Sequence, residues 1–336
     1  MKYFIDTSDK RIENYRSNND YINQSFIKAC YYGINLDEFE SYKLYGKRHF
    51  VIGDIVDRIF SKILTFNEFH QTCLIVPDQI MNKYHIFLAV KNIIEDLNDI
   101  YLPTYSDTVY SILQYYKFGT KSWLKNTMLK KFYEQAVLYW NLLDKSYEFV
   151  LSETEYAKIE RLCKLIDHSW VKRAVLPSKG WKVYYQYAVY FPYKLNNLTL
   201  SCKGLLDAVS IHKTKKIINL FDLKTTGKPV NKFHNSVISY NYFVQCYFYY
   251  AGIRHFYPDY EINFYFIVIN EKDNYPVIYK MNENDLMIGK LGYDTLKVTG
   301  IDEMLSFCNE VSWQPQSIPL KILLNKGVLN MNFKND

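Results

Sequence analysis

Two short acidic motifs carry the chemistry in this 336-residue chain. The triplet Asp222-Leu223-Lys224 closes the apolar run Ile217-Ile218-Asn219-Leu220-Phe221, and Gly204-Leu205-Leu206-Asp207 closes another run fifteen residues upstream. On an extended strand, residues i and i+2 share a face. Asp222 and Lys224 therefore point into one pocket, and Asp207 reaches it from a neighbouring strand. A carboxylate at the end of an apolar strand is costly unless it is paired or bound to a cation. Either aspartate alone would serve equally well to cap a turn or pair with a nearby lysine. Together, with the lysine in register, they favour a metal site. Carboxylates hold a hard divalent cation through oxygen, and an ammonium beside them handles a proton or a developing charge. These are the parts needed to hydrolyse a phosphodiester.

Further along, Gln245 and Tyr249 stand four apart and share one face of a predicted helix. In isolation they read as a core-facing tyrosine and an incidental glutamine. The ordered set Gly204-x-x-Asp207, Asp222-x-Lys224-Thr225-Thr226 and Gln245-x-x-x-Tyr249 resembles the RecB-like branch of the PD-(D/E)xK nuclease superfamily. Within that branch it is most similar to RecE-like and lambda-type phage exonucleases. A lone DxK triplet arises by chance; the order on strand, strand and helix carries the resemblance. Its diagnostic part is 204–249, and it extends over 20–310. Upstream, Gly53-x-x-x-Asp57 resembles the family's helical motif, in which the last residue is an extra metal ligand. RecB-type members carry histidine there. Aspartate is a competent Mg2+ ligand, and Asp54 competes for the role. Tyr21 to Phe26 also resembles an N-terminal signature of the RecE-like group.

The resemblance implies an α/β fold with a restriction-endonuclease-like core, a central mixed β-sheet flanked by helices, behind a helical N-terminal half. It implies Mg2+, with Mn2+ able to substitute, held by Asp57, Asp207, Asp222 and the carbonyl of Leu223. Asp207, Asp222, Lys224, Gln245 and Tyr249 become the catalytic set, with Gln245 and Tyr249 orienting the lysine and DNA. Thr225, Thr226, Lys228 and Lys232 become contacts to the DNA backbone, with His234 nearby; as plain residues they read equally well as a strand-end cap and a solvated loop. The implied activity is exonucleolytic cleavage of duplex DNA ends, 5′→3′, in phage-type recombination. The implied partners are DNA, a single-strand annealing protein and further copies of the chain. The same residues would equally serve a structure- or sequence-specific endonuclease, and a non-catalytic DNA-binding protein is the third reading. Asp222→Ala is expected to abolish cleavage and spare the fold.

The elements that must position these residues follow from pattern and punctuation. Residues 1–20 are polar and expected to be loosely held. Helices are predicted over 23–32, 50–60, 77–98, 122–147 and 154–174, from apolar spacing and from Pro77 at a helix start. The turn Pro177-Ser178-Lys179-Gly180 then opens a β-rich stretch. Strands are predicted over 183–193, 198–211 and 215–224, a helix over 236–256, strands over 261–270 and 276–281, and a helix over 283–309. Residues 312–336 read as an irregular tail. One domain over 21–311 is expected, its helical part ending at 176.

Composition bounds these readings. Hydrophobic residues make up 49% of the chain, enough for a core. The net charge of +6 is uneven: residues 111–230 hold 20 Lys/Arg against 9 Asp/Glu, a surplus of 11. That block fits a polyanion footprint and equally a solvated helix surface; Lys125, Lys130 and Lys131 are its candidates for DNA contact. The six cysteines form no C-x-x-C pair, which argues against a zinc ribbon and suits a reducing cytosol. The N-terminus lacks an apolar signal region, and no apolar stretch approaches the roughly 18 residues of a membrane helix. A cytoplasmic protein is expected, in the bacterial host if phage-encoded. Pro77-Asp78 and Pro258-Asp259 spell the superfamily's nominal dipeptide but lie far from Asp222. Gly119-Thr120-Lys121-Ser122 lacks the earlier glycine of a P-loop.

Overall fold

The computed structural model describes residues 2–18, 20–32, 48–91, 94, 103–120, 122–143 and 147–310. Tertiary contacts gather the chain into two compact units, one holding Met1–Ser41, Gly53–Ile63 and Arg161–Asp336, the other Tyr42–Ile52 and Leu64–Glu160. The pattern of the sequence suggests a single domain. The second unit buries a core of its own.

The chain opens with β1 (Phe4–Asp6), α1 (Arg11–Ser17), α2 (Gln24–Tyr32) and α3 (Arg48–Phe60). The expectation of a loose N-terminus is corrected here. β1 pairs antiparallel with a central strand, Phe4 opposite Tyr190 and Asp6 opposite Ala188. The Phe4 ring stacks on Tyr190 at 4.5 Å. Asp6 then accepts hydrogen bonds from the Ser8 backbone N–H at 2.9 Å and from Asn14 at 3.0 Å, fixing the turn into α1. α2 starts where the sequence places it, the Asn23 side chain accepting from the Phe26 N–H at 2.8 Å.

The second unit contains α4 (Phe66–Thr72), β2 (Cys73–Val76), α5 (Asp78–Lys91), α6 (Pro103–Tyr115), α7 (Lys125–Leu143), β3 (Phe149–Ser152) and the start of α8 (Glu153–Ile166). α4 begins with a reciprocal capping box between Thr65 and Glu68. β2 and β3 form a short parallel pair absent from the sequence reading; four residues each are too few for a periodic signal. The core is aromatic: the Phe87 ring stacks on Tyr139 at 3.9 Å and on Phe132 at 4.4 Å. The distal ends of the helices expected over 77–98 and 122–147 fall partly outside the described residues.

The sheet unit continues with α9 (Ser169–Val175), β4 (Trp181–Leu195), β5 (Leu198–His212), β6 (Ile217–Thr225), α10 (Phe233–Ser239), α11 (Tyr242–Phe256), β7 (Glu261–Ile269) and β8 (Val277–Met281). It ends with α12 (Glu283–Leu291), β9 (Gly292–Tyr293), β10 (Val298–Thr299) and α13 (Ile301–Glu310). Three expected long helices are each broken. His168 caps α9 by accepting from the Trp170 N–H. Asn241, at φ +48°, turns the chain between α10 and α11. Gly292, at φ +86°, ends α12, where a β-carbon would meet the Val298 carbonyl at 2.7 Å. The predicted tail 312–336 lies outside the described residues.

The six-stranded sheet runs β1-β4-β5-β6-β7-β8. All neighbours are antiparallel except β6 and β7, which are parallel and joined through α10 and α11. This is the expected plan, a mixed sheet flanked by helices. One face packs Val189, Phe191, Leu220 and Phe264 against Val244, Phe248 and Ile253 of α11. Each such side chain contributes about 1.5–3 kcal/mol by leaving water. On the opposite face Ala188 and Tyr190 pack with Tyr21, Phe4 and Tyr15. Among the described residues no helix is long and apolar enough to cross a membrane.

Candidate active site

β5 and β6 pair from His212 opposite Ile217 to Ala208 opposite Phe221, and there the ladder stops. Asp207 and Asp222 occupy the next positions, at the mouth where the two strands part. Asp207 turns its Oδ2 onto the Leu223 backbone N–H at 2.8 Å. Asp222 points toward α11, where Gln245 Nε2 donates to its Oδ1 at 2.6 Å. Lys224, two residues along, brings Nζ to 2.7 Å from Asp222 Oδ2. This ion pair is the contact made by the buried Asp222 Oδ2, which no other donor among the described residues reaches. The Lys224 ammonium also lies 4.7 Å from the Tyr242 ring and 5.9 Å from Phe266, within cation–π range. The strand rule thus holds, with Asp222, Lys224 and Gln245 gathered in one buried cluster.

Asp57 approaches from the stretch of α3 that belongs to the sheet unit. Its neighbours are neutral: Gln186 Nε2 lies 3.4 Å from Oδ2, and Ser61 Oγ 3.4 Å from Oδ1. Asp54, the competing candidate one helical turn earlier, is exposed. Burial, together with the charges of Asp222 and Asp54, raises the Asp57 pKa to about 7, against smaller opposing effects from Lys224 and Ser61. Burial and the charges of Asp57 and Asp222 push Asp207 well above the usual carboxylate range, with Lys224 and the Leu223 N–H opposing. Burial alone would lower the Lys224 pKa, but Asp222, Tyr242 and Asp207 outweigh it and raise it. As found, Lys224 is an ammonium.

Asp57, Asp207 and Asp222 therefore feel one another's charge. They do not converge on a point: among the described residues no three carboxylate, imidazole or thiol groups are gathered as metal ligands. Mg2+ asks for less, since it binds through one or two carboxylates and keeps several waters. The donors are all oxygen, and Asp57 and Asp207 are both raised by burial and by neighbouring carboxylate charge, a chemistry that suits such a hard cation.

The other predicted positions divide. Tyr249 is a core residue whose ring lies over Gly204; a β-carbon at 204 would stand 3.0 Å from it. Its pKa is raised first by burial, and the Gln245 side chain bears on its hydroxyl. The Thr226 hydroxyl accepts from the Lys228 N–H at 3.1 Å, a local turn bond. Thr225 is exposed at the end of β6, and Lys228, Lys232 and His234 are exposed in the following loop and helix start. In the second unit, Lys125 pairs with Asp107, and Lys131 with Glu134 at 3.0 Å. Part of the basic block is thus spent on local ion pairs. Asp78 accepts from Thr154 Oγ1 at 2.6 Å, a structural bond.

Four residues near the acids went unnoticed in the sequence. Lys28 of α2 donates to the carbonyls of Tyr240 and Asn241 at 3.0 and 2.9 Å. Burial, then the charge of Lys224, lowers its pKa to about 8. Tyr242 walls Lys224. Gln186 and Ser61 hold Asp57. Only Gln186 left a trace, as a lone amide in a strand of tyrosines and valines; the rest arrive from distant segments.

No family model matches the chain, and no curated protein matches it. Among solved structures it is similar to a protein from Eubacterium rectale provisionally named an exonuclease, at 12% identity over 96% of this chain and 88% of that one, with a TM-score of 0.40. It is also similar to the protein SSO0001, at 14% identity over 49% of this chain and 64% of that one, with a TM-score of 0.27. Likeness at this level bears on neither activity nor substrate.

Proposed function

We propose that the chain is a Mg2+-dependent deoxyribonuclease of the PD-(D/E)xK kind that hydrolyses duplex DNA from its ends, 5′→3′, in phage-type recombination. The observation that carries the reading is the buried cluster in which Gln245 and Lys224 grip opposite oxygens of Asp222, beside Asp207 and Asp57.

Asp207 and Asp222 would hold the cation, with Asp57 and the Leu223 carbonyl completing its sphere. Bound there, the cation polarises a phosphate oxygen and acidifies a water. The chain's own residues do the rest. Gln245 fixes the rotamer of Asp222 by donating to one oxygen, while Lys224 holds the other. Lys224, already positive and desolvated by the Tyr242 and Phe266 rings, stabilises negative charge gathering on the phosphate oxygens in the transition state. Lys28 adds a second positive charge to the same neighbourhood. Thr225 ends β6 and Thr226, Lys228 and Lys232 follow it, where a DNA backbone leaving the site would pass. DNA, an annealing protein and further copies of the chain are the partners this reading carries.

The test is purified protein on end-labelled linear and closed circular duplex with Mg2+. Lys224→Ala should lower the cleavage rate about 10²–10⁴-fold, the range of a positioned proton-handling or charge-stabilising group. Equal cleavage by wild type and Lys224→Ala would sink the site. Cutting of closed circles would shift the reading to an endonuclease. DNA binding without cleavage under any divalent cation would leave a binding protein on this fold.

A further inference from the structure

We infer that Gln186 is a positioning residue: a left-handed kink in β4 aims its carboxamide at Asp57 and sets how Asp57 joins the other two acids. This rests on the metal-dependent reading above and deepens it.

Gln186 sits inside a long strand at φ +47°. A non-glycine residue adopts that conformation at a cost, and inside a strand it persists only where surrounding structure enforces it. β4 and β5 pair on both sides, Tyr185 opposite Ala208 and Tyr187 opposite Leu206, but the pairing is interrupted between them. The interrupted position is Gln186 opposite Asp207.

The kink changes which way side chains point. Tyr184 and Tyr187 both pack on the α11 face, their rings 5.5 Å apart. Strict alternation would put them on opposite faces. Between them, Tyr185 and Gln186 both reach toward the α3 segment: the Tyr185 ring is 6.0 Å from Phe60, and Gln186 Nε2 is 2.8 Å from Ser61 Oγ. Counted from Tyr184, alternation would send Gln186 under α11; counted from Tyr187, Val189 and Phe191 it faces the other way, and the kink at Gln186 is where the first half of the strand changes over to the second.

The kink is also supported from behind. Arg11 Nε donates to the carbonyl oxygens of Tyr185 and Gln186 at 3.2 and 3.0 Å. A partly buried cation from α1 thus satisfies the backbone at the break.

The amide has a defined task at its far end. Ser61 Oγ donates to the Asp57 carbonyl at 2.7 Å, so toward Gln186 it can only accept. An Asp57 carboxylate also only accepts. Both partners call for the donor end of the amide, which is the end they receive. Gln186, 5% exposed, has no solvent to serve as an alternative. A neutral donor does what a lysine there would not: it orients Asp57 without neutralising it, leaving its charge for a cation.

Two variants separate this role from a structural one. Gln186→Gly and Gln186→Asn both suit a left-handed backbone, glycine without strain and asparagine better than most residues. Neither reaches Asp57. Melting temperature is measured in chelator and across a Mg2+ titration. Chelator melting should be unchanged or higher for Gln186→Gly, while the Mg2+ midpoint of stabilisation rises 10–100-fold in both variants, the usual effect of removing a group that orients a metal ligand. In an Asp57→Asn background neither substitution should shift the midpoint further. A wild-type Mg2+ midpoint in Gln186→Gly and Gln186→Asn would overturn the inference. A wild-type protein that ignores Mg2+ would sink the metal-dependent reading instead. The Gln186–Asp57 link would then be judged by the metal-free double-mutant cycle, with coupled effects on unfolding supporting it and additive effects overturning it.

Discussion

On the β6 side of the site, Asp222 has an ammonium at 2.7 Å and a carboxamide at 2.6 Å. On the α3 side, Asp57 has two neutral donors, each at 3.4 Å, and Asp207 a single backbone N–H. The first half balances its charge internally. The second gathers like charges and leaves them to protons or an added cation. The pKa of Asp57, raised to about 7, measures that imbalance. The difference teaches that the DxK strand offsets its charge within the fold, whereas the Asp57–Asp207 side carries like charges without a cationic hydrogen-bond partner among the described residues.

The comparison breaks most sharply at Asp222. Removing one partner of a buried pair strands the other, at about 3–5 kcal/mol. Asp222→Ala should therefore lower unfolding free energy by roughly that much in urea melts, besides abolishing cleavage. The sequence argument expects this substitution to spare the fold; the Lys224 ion pair reverses that expectation. Unchanged urea stability would mean that Lys224 finds another partner.

Next comes Gln245→Leu, which takes the donor from Asp222 Oδ1 and leaves a buried carboxylate oxygen unsatisfied. A loss of about 1–3 kcal/mol is expected, with a lower cleavage rate and the ion pair still in place. Cleavage and stability both equal to wild type would show that the grip on Asp222 comes from Lys224 alone.

Asp57→Asn probes the opposite half, and its sign should invert. In the unfolded chain the Asp57 carboxyl gives up its proton near the ordinary value of 3.8, whereas in the folded chain it keeps it to about pH 7. Between those values the folded state binds more protons, so metal-free stability falls as pH rises from about 4 to 7. Asp57→Asn should remove that part of the slope and, above pH 7, be the more stable protein in chelator by on the order of 1–2 kcal/mol. Parallel stability–pH curves for the two proteins would contradict the raised pKa. Mg2+ should restore the advantage to wild type.

The smallest effect is expected at Gly204→Ala. The new β-carbon would stand 3.0–3.1 Å from the Tyr249 ring, and that buried ring must give by a few tenths of an ångström. About 1 kcal/mol of thermal stability should be lost, with little change in the charge balance of either half. A full loss of activity would instead assign Tyr249 a direct part in the chemistry.

Legibility followed the same divide. Asp207, Asp222 and Lys224 were readable because strands alternate with period two, and apolar runs ending in acids are uncommon without a reason. Gln245 was readable by its distance behind the DxK strand. Gln186, Ser61 and Lys28 were not, because each reaches the acids from a remote segment. Gln186 gets there through a backbone conformation that pattern reading assigns to glycine or a turn, not to the middle of a strand. The loose N-terminus was misjudged for a related reason: polar residues 1–20 become ordered only because β4 offers an unpaired edge for Phe4–Asp6 and Tyr190 a ring on which Phe4 can stack.

By itself the sequence determined the strand–strand–helix order, the two acids and lysine at its ends, and the alternation that brings Asp222 and Lys224 to one face, since these depend on local geometry. Only the tertiary structure decided which acids feel one another, that Lys224 is already paired, that two units form, and that a kink held by Arg11 turns Gln186 toward Asp57. The approaches of Asp57 to Asp222, of Asp57 to Gln186 and of Arg11 to Gln186 each span more than a hundred positions, and no local propensity encodes such distances.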